Sequence, residues 1–302
     1  MAQEIKESAT RATWSGKWAF ILAAAASAVG LGNLWRFPYL AAKYGGGMFL
    51  LTYLVLVLTF GVSLLLLETA LGRKTRQSVI GAFRHFGAKF TFIGVLAAAV
   101  PFIITPYYCI IGGWVTKYMV SYVTAGPTAL ADGGDFFGGF ISSNTESFLF
   151  MLVFMAIVFI IVALGVQKGI EKANLVMMPA LIIMAIAIAV FVLTMPGALE
   201  GAAYYLVPDF SKFSPELVIS ALGQMFYSLS LAMGIMVTYG SYMRKQDSLT
   251  SSVTRIAGFD FGVSFFAGLM IVPAAFVAMG SAEAVAAKSG PSLMFITLPE
   301  VF

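Results

Sequence analysis

The sequence predicts an all-α membrane protein, and three observations support this prediction. Hydrophobic residues make up 60% of the 302 residues and charged residues only 11%, whereas about 25% of the residues in a soluble domain are charged. Apolar stretches of about 20 residues, the length that crosses a bilayer as a helix, recur along the chain. The charged residues are concentrated between these stretches.

Seven apolar stretches are predicted to be transmembrane helices. Each is close to or longer than the roughly 20 residues that a span requires. The third is long for one span, so we expect it either to be strongly tilted or to extend past the bilayer. In chain order the predicted spans are residues 17–42, 46–71, 91–122, 147–165, 174–195, 215–243 and 258–280.

Positive charge lies mainly on one side of the predicted bundle. Of the 18 Lys and Arg residues, 13 lie in the segment 1–17 or in the connections 72–90, 166–173 and 244–257. The opposite connections carry mainly acidic residues. Because cytoplasmic loops are enriched in Lys and Arg, we predict a multi-pass protein of the plasma membrane with a cytoplasmic N-terminus.

Several functional classes are excluded by missing residue types and motifs. Cys109 is the only cysteine and His85 the only histidine, so neither an internal disulfide nor a Cys/His metal cluster can form. The sequence contains no HExxH, GxSxG or Walker motif. We therefore predict neither an enzyme nor a nucleic-acid-binding protein.

Two predicted spans contain residues that interrupt a helix. SAVGLGNLWRFPYL, residues 27–40, brings two Gly, an Asn, an Arg and a Pro into the first span, and FYSLSLAMGIM, residues 226–236, brings two Ser and a Gly into the sixth. Non-helical backbone at membrane depth is tolerated only where it lines a cavity or is buried in protein. Paired interruptions indicate a transporter binding site, where half-helix N-termini bind a carboxylate and freed carbonyls bind a small cation.

Alternative interpretations of these residues remain open. Gly residues also let helices pack closely, and Ser residues can bond back to their own helix. Arg36 is either a functional residue, since a cation within a span is costly, or a side chain that reaches the outer interface.

Four stretches resemble the neurotransmitter:sodium symporter family: SAVGLGNLWRFPYLAAKYGGGMFLLTYL, PYYCIIGGW, GVQKGIEKANLVMMPAL and QMFYSLSLAMGIMVTYGSYMRK. The resemblance implies a leucine-transporter-type inverted-repeat fold in which spans 1 and 6 are unwound at mid-membrane. The first five-span repeat is then complete and the second partial. The implied division is a cytoplasmic segment 1–16, the first repeat 17–195, an extracellular loop 196–214, two spans of the second repeat 215–280 and a truncated extracellular loop 281–302.

The family couples Na⁺ influx to amino-acid or amine uptake by alternating access, and the resemblance implies specific ion ligands. The first Na⁺ site corresponds to Ala28, Asn33, Ser228 and Asp260, and carbonyl ligands of a second site correspond to Ala26 and Val29. Groups that bind chloride in chloride-dependent relatives correspond to Tyr53, Gln224, Ser228 and Ser264.

Asp260 departs from the Asn that is common in the family and adds a negative charge. That charge would balance Na⁺ and repel a nearby chloride. We therefore expect chloride not to be required. The alternative is that Asp260 faces the cytoplasmic interface.

The resemblance also implies how a substrate is bound. Gly30 and Gly32 amides and the Tyr108 hydroxyl would hold a carboxylate, although Tyr108 could instead belong to an interfacial aromatic belt. Ser27 stands where monoamine-transporting members have an Asp, which favours an amino acid that carries its own carboxylate. The implied pocket wall is mainly apolar, which favours a neutral, hydrophobic side chain. The amine would contact carbonyls of Ala28 and Tyr227 and the Ser230 hydroxyl, and the side-chain pocket would comprise Ser27, Ile104, Tyr227, Ala232 and Met233.

The resemblance also implies two gates and three residues involved in conformational change: Glu68, Gly169 and Pro179. Glu68, a carboxylate within span two, would brace the unwound part of span six. Gly169 and Pro179 either bracket a segment that unwinds to open the inner Na⁺ path or belong to an ordinary helix start. The outer gate would contain Arg36 with Tyr108 and with Tyr227, which replaces a usual Phe as the lid, and the inner gate Arg11, Trp14, Ser241 and Tyr242.

The implied second repeat lacks its later spans, which would supply the partners of both gate cations and further Na⁺ ligands. We therefore expect the chain to be an incomplete form whose coupled transport needs C-terminal spans. The alternative is a non-transporting membrane protein, built from the same half, that binds a ligand or regulates another protein.

Overall fold

The structure is a computed structural model that describes residues 13–126, 133–281, 293–297 and 299. Among these residues, regular structure is helical apart from one isolated bridge between Gly46 and Pro208. Short π-helical or 3-10 turns occupy Gly32–Arg36, Val57–Gly61, Ala88–Phe90, Val166–Glu171, Phe210–Lys212 and Leu293–Thr297. The α-helices are Lys17–Ala28 (α1), Phe37–Lys43 (α2), Gly47–Leu56 (α3), Val62–Thr75 (α4), Val79–Arg84 (α5), Thr91–Ala125 (α6), Gly133–Ser142 (α7), Asn144–Ala163 (α8), Lys172–Leu193 (α9), Ala198–Leu206 (α10), Pro215–Ser228 (α11), Ile235–Ser241 (α12) and Leu249–Met279 (α13).

The predicted spans correspond to long apolar helices or to interrupted pairs. Within the described part of the chain, a bent pair formed by Lys17–Ala28 and Gly32–Lys43 makes one span, and α11 and α12 together occupy the predicted span 215–243. The uninterrupted helices long and apolar enough to cross a membrane are Gly47–Thr75, Ala88–Ala125, Asn144–Ala163, Val166–Leu193 and Leu249–Met279.

Some helices extend beyond the apolar stretches that the sequence predicts as spans. The seventh span was expected to begin at residue 258, but α13 begins at Leu249, where the Ser248 hydroxyl accepts a hydrogen bond from the Ser251 amide. Polar side chains do not prevent backbone hydrogen bonding, and this Ser cap satisfies an amide of the first turn. The length of an apolar stretch therefore predicts the part of a helix that can cross the bilayer, and not the full length of that helix.

The α13 helix lies at the centre of the bundle and α8 at its edge. Buried residues occur along most of α13, from Ser252 to Ala275, and it contacts α1, α2, α4, α9 and α10. By contrast, α8 has no buried residue and packs mainly against α6. The exposed apolar faces of α6 and α8 suit contact with lipid chains.

The first span is interrupted directly after α1. Its last helical residue is Ala28, and Val29 has extended backbone angles of φ −79° and ψ 116°. The chain then resumes as a π-helical turn, so that the two halves are bent by 52°. The freed amide of Gly30 is satisfied by Asn33 Oδ1 at 2.9 Å. A polar side chain within the span thus replaces a helical hydrogen bond.

The predicted sixth span is interrupted between α11 and α12. Ser230 and Ala232 have positive φ angles of 53° and 61°, which side chains disfavour by about 1–2 kcal/mol per residue. The Ser230 hydroxyl donates to the Ser27 carbonyl at 3.1 Å, and the Ala232 amide donates to Glu68 Oε1 at 2.7 Å. Contacts with two other helices therefore hold this segment in its strained conformation.

Two glycines let α4 and α12 approach each other closely. A Cβ atom at Gly72 would lie 1.9 Å from the Val237 carbonyl oxygen, and one at Gly240 would lie 2.4 Å from the Thr69 carbonyl oxygen. Side chains at these positions are therefore incompatible with the observed backbone contact. The crossing holds α12 beside the helix that carries Glu68.

The segment before α1 is attached to two helices. The Trp14 amide and indole N–H donate to the Tyr242 and Tyr239 carbonyls, each at 3.2 Å. The Ser15 amide donates to Glu171 Oε2 at 3.1 Å, and the Ser15 hydroxyl donates to Glu171 Oε1. Glu171 is 5% exposed, so these bonds satisfy a carboxylate that water barely reaches.

We predict that Glu171→Ala releases the residues around Ser15. Hydrogen bonds to a charged group contribute about 1.5–3 kcal/mol each, so amide exchange at Ser15 should accelerate by about tenfold or more. Hydrogen–deuterium exchange with mass spectrometry measures this. Glu216→Ala, at an exposed carboxylate of α11, serves as the control, and equal exchange at Ser15 in both variants would contradict the prediction.

Candidate functional site

A cavity of about 320 Å³ lies against the interruption between α11 and α12. Residues of α1, α6 and α8 complete its wall, which is mainly apolar with a few hydroxyl groups. Six of the residues predicted to bind substrate line this cavity: Ser27, Ile104, Tyr108, Tyr227, Ser230 and Met233.

The other four residues predicted to bind substrate do not line this cavity. Ala28, Gly30 and Gly32 lie at the neighbouring interruption of the first span. Ala232 lines a separate cavity of about 340 Å³ together with Glu68. The twisted backbone after α11, with positive φ angles at Ser230 and Ala232, thus sends neighbouring residues to different cavities.

Sequence reasoning missed part of the cavity wall. The α6 residues recur at intervals of three and four, as one face of a helix requires, and this periodicity around Tyr108 was a usable signal. The two α8 residues gave no signal, because that span is apolar on all sides. The missed residues are Pro101, Thr105, Cys109, Phe154, Val158 and Ile235.

Two tyrosines meet inside the cavity. The hydroxyl groups of Tyr108 and Tyr227 lie 2.8 Å apart, and either can be the donor. The guanidinium of Arg36 lies 5.6 Å from the centroid of the Tyr227 ring, and its Nη1 donates to Gln224 Oε1 at 3.0 Å. The predicted outer-gate residues are therefore contiguous in the structure.

Five polar side chains form a fully buried cluster beside the first interruption. Asp260 accepts three hydrogen bonds: from Ser228 Oγ at 2.6 Å and Asn33 Nδ2 at 2.8 Å on Oδ1, and from the Tyr53 hydroxyl at 2.9 Å on Oδ2. Ser264 Oγ lies 2.8 Å from Asn33 Nδ2. None of the five residues is more than 1% exposed. Asp260 therefore does not face the cytoplasmic interface.

The cluster contains oxygen atoms from several side chains, including one carboxylate. Oxygen ligands suit hard cations such as Na⁺, so the residues present fit the predicted ion. The part of the chain that the structure describes has no group of three or more His, Cys, Asp or Glu side chains that could hold a metal ion.

Gln224 does not bond to this cluster, although it was predicted to join Tyr53, Ser228 and Ser264 in a chloride-like site. Its Oε1 accepts from Arg36, and its Nε2 donates to the Gly32 carbonyl at 2.8 Å. The amide therefore connects α11 to the interruption of the first span. The other three residues of that set surround the Asp260 carboxylate.

The residues predicted to supply the second Na⁺ site lie at the end of α1. Val29 is buried in a small apolar cluster with Met178 of α9 and Val263 of α13, and Ala26 packs against the same cluster. The described residues bring no further polar side chain into hydrogen-bond contact with these two positions in this structure.

Of the residues predicted to form the inner gate, Tyr242 lies beside the buried Trp14 ring. The Trp14 ring is 6.3 Å from that of Tyr242, and the buried Ser241 hydroxyl donates to the Thr238 carbonyl at 2.6 Å. Arg11, also predicted at this gate, lies outside the described residues.

The three residues predicted to take part in conformational change, Glu68, Gly169 and Pro179, lie in different local structures. Glu68, predicted to brace the interrupted span, accepts a hydrogen bond from the Ala232 amide through Oε1. Gly169 lies in a π-helical turn before α9, where a Cβ atom would come within 1.9 Å of the Ile161 carbonyl oxygen. Pro179 lies inside α9, which continues through it. The lack of a side chain at Gly169 thus permits a close contact with the Ile161 backbone.

Comparisons with known proteins match nearly the whole chain. The family model for the sodium:neurotransmitter symporter family matches residues 11–129 and 141–302. An uncharacterized sodium-dependent transporter, YhdH of Bacillus subtilis, is 37% identical over 293 residues that cover 96% of this chain and 64% of the relative. Sodium- and chloride-dependent GABA transporter 2 of Homo sapiens is 27% identical, with 96% and 55% covered.

A solved structure shares the fold. The crystal structure of MhsT in complex with L-phenylalanine matches with a TM-score of 0.87 and 38% identity, covering 96% of this chain and 66% of that one. The match confirms the predicted all-α, leucine-transporter-type fold. The chain spans slightly less than two thirds of the length of these two relatives.

The family model and the relatives confirm the predicted family, which is a family of transporters rather than of enzymes. Together with the apolar helices they also confirm a multi-pass membrane protein. This chain belongs to the sodium:neurotransmitter symporter family.

Proposed function

We propose that the protein is a secondary active symporter that couples Na⁺ influx to uptake of a neutral, hydrophobic L-amino acid by alternating access. The observation that carries the proposal is that two interrupted helices meet beside both a buried oxygen cluster and a largely apolar cavity. The sodium-dependent relatives and the L-phenylalanine bound to MhsT support this choice of ion and substrate.

In the proposed ion sites, Na⁺ binds oxygen atoms of Asn33, Ser228 and Asp260 and the carbonyl of Ala28. Ala26 and Val29 carbonyls contribute to a second ion. The first site adjoins the interruption that contains Gly30, so a bound cation would attract a substrate carboxylate placed there. Each ligand would thereby increase the affinity for the other, which is the requirement for coupling.

In the proposed substrate site, the Tyr108 hydroxyl and the amides of Gly30 and Gly32 bind the carboxylate. The carbonyls of Ala28 and Tyr227 and the Ser230 hydroxyl bind the ammonium group. The side chain enters the cavity between Ile104 and Met233, where the thioether can adapt to side chains of different size. The apolar wall supports a hydrophobic side chain and argues against a charged one.

We further propose that transport does not require chloride. The donors from Tyr53, Ser228 and Asn33 already surround the Asp260 carboxylate. A chloride about 4 Å from an ionised Asp260 would be repelled by about 4 kcal/mol at an effective dielectric constant of about 20. A fixed carboxylate would thus take the place of the mobile anion in balancing Na⁺.

The membrane arrangement follows from the distribution of basic residues. We propose a plasma-membrane location with a cytoplasmic N-terminus, so that Trp14 lies at an inner gate and Arg36 at an outer one. Since the chain spans 64% of its Bacillus subtilis relative, we propose that coupled uptake also uses spans corresponding to the rest of that relative.

Binding and uptake assays test the proposed function. The 302-residue chain, in detergent, should bind a radiolabelled neutral L-amino acid from a panel in NaCl and not in KCl. Liposomes containing a form with the length of the relatives should accumulate that amino acid when Na⁺ is directed inward. Sodium-independent binding would contradict the proposal, and binding without uptake in every form would favour the non-transporting alternative.

Chloride replacement tests the role of Asp260. Exchanging chloride for gluconate should change wild-type affinity less than about twofold, whereas Asp260→Asn should bind about tenfold more weakly in gluconate and recover in chloride. Asp135→Asn, at an exposed carboxylate, should behave like the wild type. Strict chloride dependence of the wild type would overturn this role.

A further inference from the structure

We propose that the Tyr227 hydroxyl orients the Tyr108 hydroxyl so that the Tyr108 proton is presented to the substrate carboxylate. Tyr227 is then a positioning residue for anion recognition, in addition to closing the cavity. This inference rests on the proposed function, because it takes the carboxylate of an amino acid as the ligand of Tyr108.

The two hydroxyl groups form one hydrogen bond that has two possible directions. They lie 2.8 Å apart, and each can donate to the other. A phenol has one proton to donate and can also accept hydrogen bonds. If Tyr227 donates to Tyr108, the Tyr108 proton is left for an acceptor in the cavity. An anionic acceptor selects this direction, and the hydrogen bond from Tyr227 then strengthens Tyr108 as a donor.

The surroundings of Tyr227 hold its ring in the position that this arrangement requires. A Cβ atom at Gly32 would lie 2.8 Å from Cδ1 of the Tyr227 ring, so only a residue without a side chain permits this contact. The Arg36 guanidinium covers the ring at 5.6 Å from its centroid. The hydroxyl therefore reaches Tyr108 from a ring that is packed on more than one side.

The neighbouring tyrosine provides an internal contrast. Tyr107 precedes Tyr108 on α6 and is 45% exposed. Its ring packs on Trp35 and on Tyr108 at centroid distances of 6.3 and 5.9 Å, and it does not line the cavity. A hydroxyl-specific effect is therefore expected at Tyr227 and not at Tyr107.

A double-mutant cycle measures whether Tyr227 acts through Tyr108. Wild type, Tyr227→Phe, Tyr108→Phe and the double variant are compared as the 302-residue chain, with Tyr107→Phe as the matched control. The probe is the amino acid of the neutral L-amino-acid panel that the wild type binds most tightly in NaCl, and the readout is its equilibrium dissociation constant. Size-exclusion profiles establish that each variant is folded.

We expect Tyr227→Phe to weaken binding by about three- to tenfold in the wild-type background. The same change should have less than about a twofold effect when Tyr108 is already Phe, because the group on which it acts is then absent. Tyr107→Phe should leave binding unchanged. A merely structural contribution of Tyr227 would weaken binding equally in both backgrounds.

The outcomes separate this inference from the proposed function. If the wild type binds an amino acid in a Na⁺-dependent manner but Tyr227→Phe has no effect, or an equal effect in both backgrounds, the orienting role is overturned and the proposed function stands. If the wild type binds no amino acid of the panel, the proposed function fails and the orienting role fails with it.

Discussion

Backbone amides and carbonyls cannot remain unpaired in apolar surroundings, and this constraint governs the interior of the molecule. Where the helices break, side chains take over the missing bonds. Asn33 accepts from the Gly30 amide, Glu68 accepts from the Ala232 amide, and Ser230 donates to the Ser27 carbonyl. The polar residues that look misplaced in apolar spans are therefore the ones that make the breaks possible.

The same side chains connect the breaks to the buried cluster. Asn33 uses its oxygen for the Gly30 amide and its nitrogen for Asp260. The side-chain amide of Asn33 thus links the buried cluster directly to the backbone at the first interruption. This is the kind of direct physical connection that coupling between an ion and a second ligand needs.

Packing and polarity are divided between different parts of the bundle. The central helix, α13, contributes Asp260 and Ser264 and is buried along most of its length. The peripheral helix, α8, contributes only apolar side chains to the cavity. The Asp260 charge therefore lies where surrounding donors satisfy it, and α8 adds only apolar shape to the cavity wall.

The sequence by itself determined the class of protein, the spans and the places where two of them break, because apolar length and helix-breaking residues are local properties. The family motifs identified a set of candidate site residues. Only the tertiary structure decided which of these residues contact one another. Asn33 meets Asp260 across 227 residues and Tyr108 meets Tyr227 across 119. Gln224 bonds away from the cluster and Ala232 lines a separate cavity. These outcomes depend on the rotation of each helix and on backbone twist after α11, and long-range packing sets both.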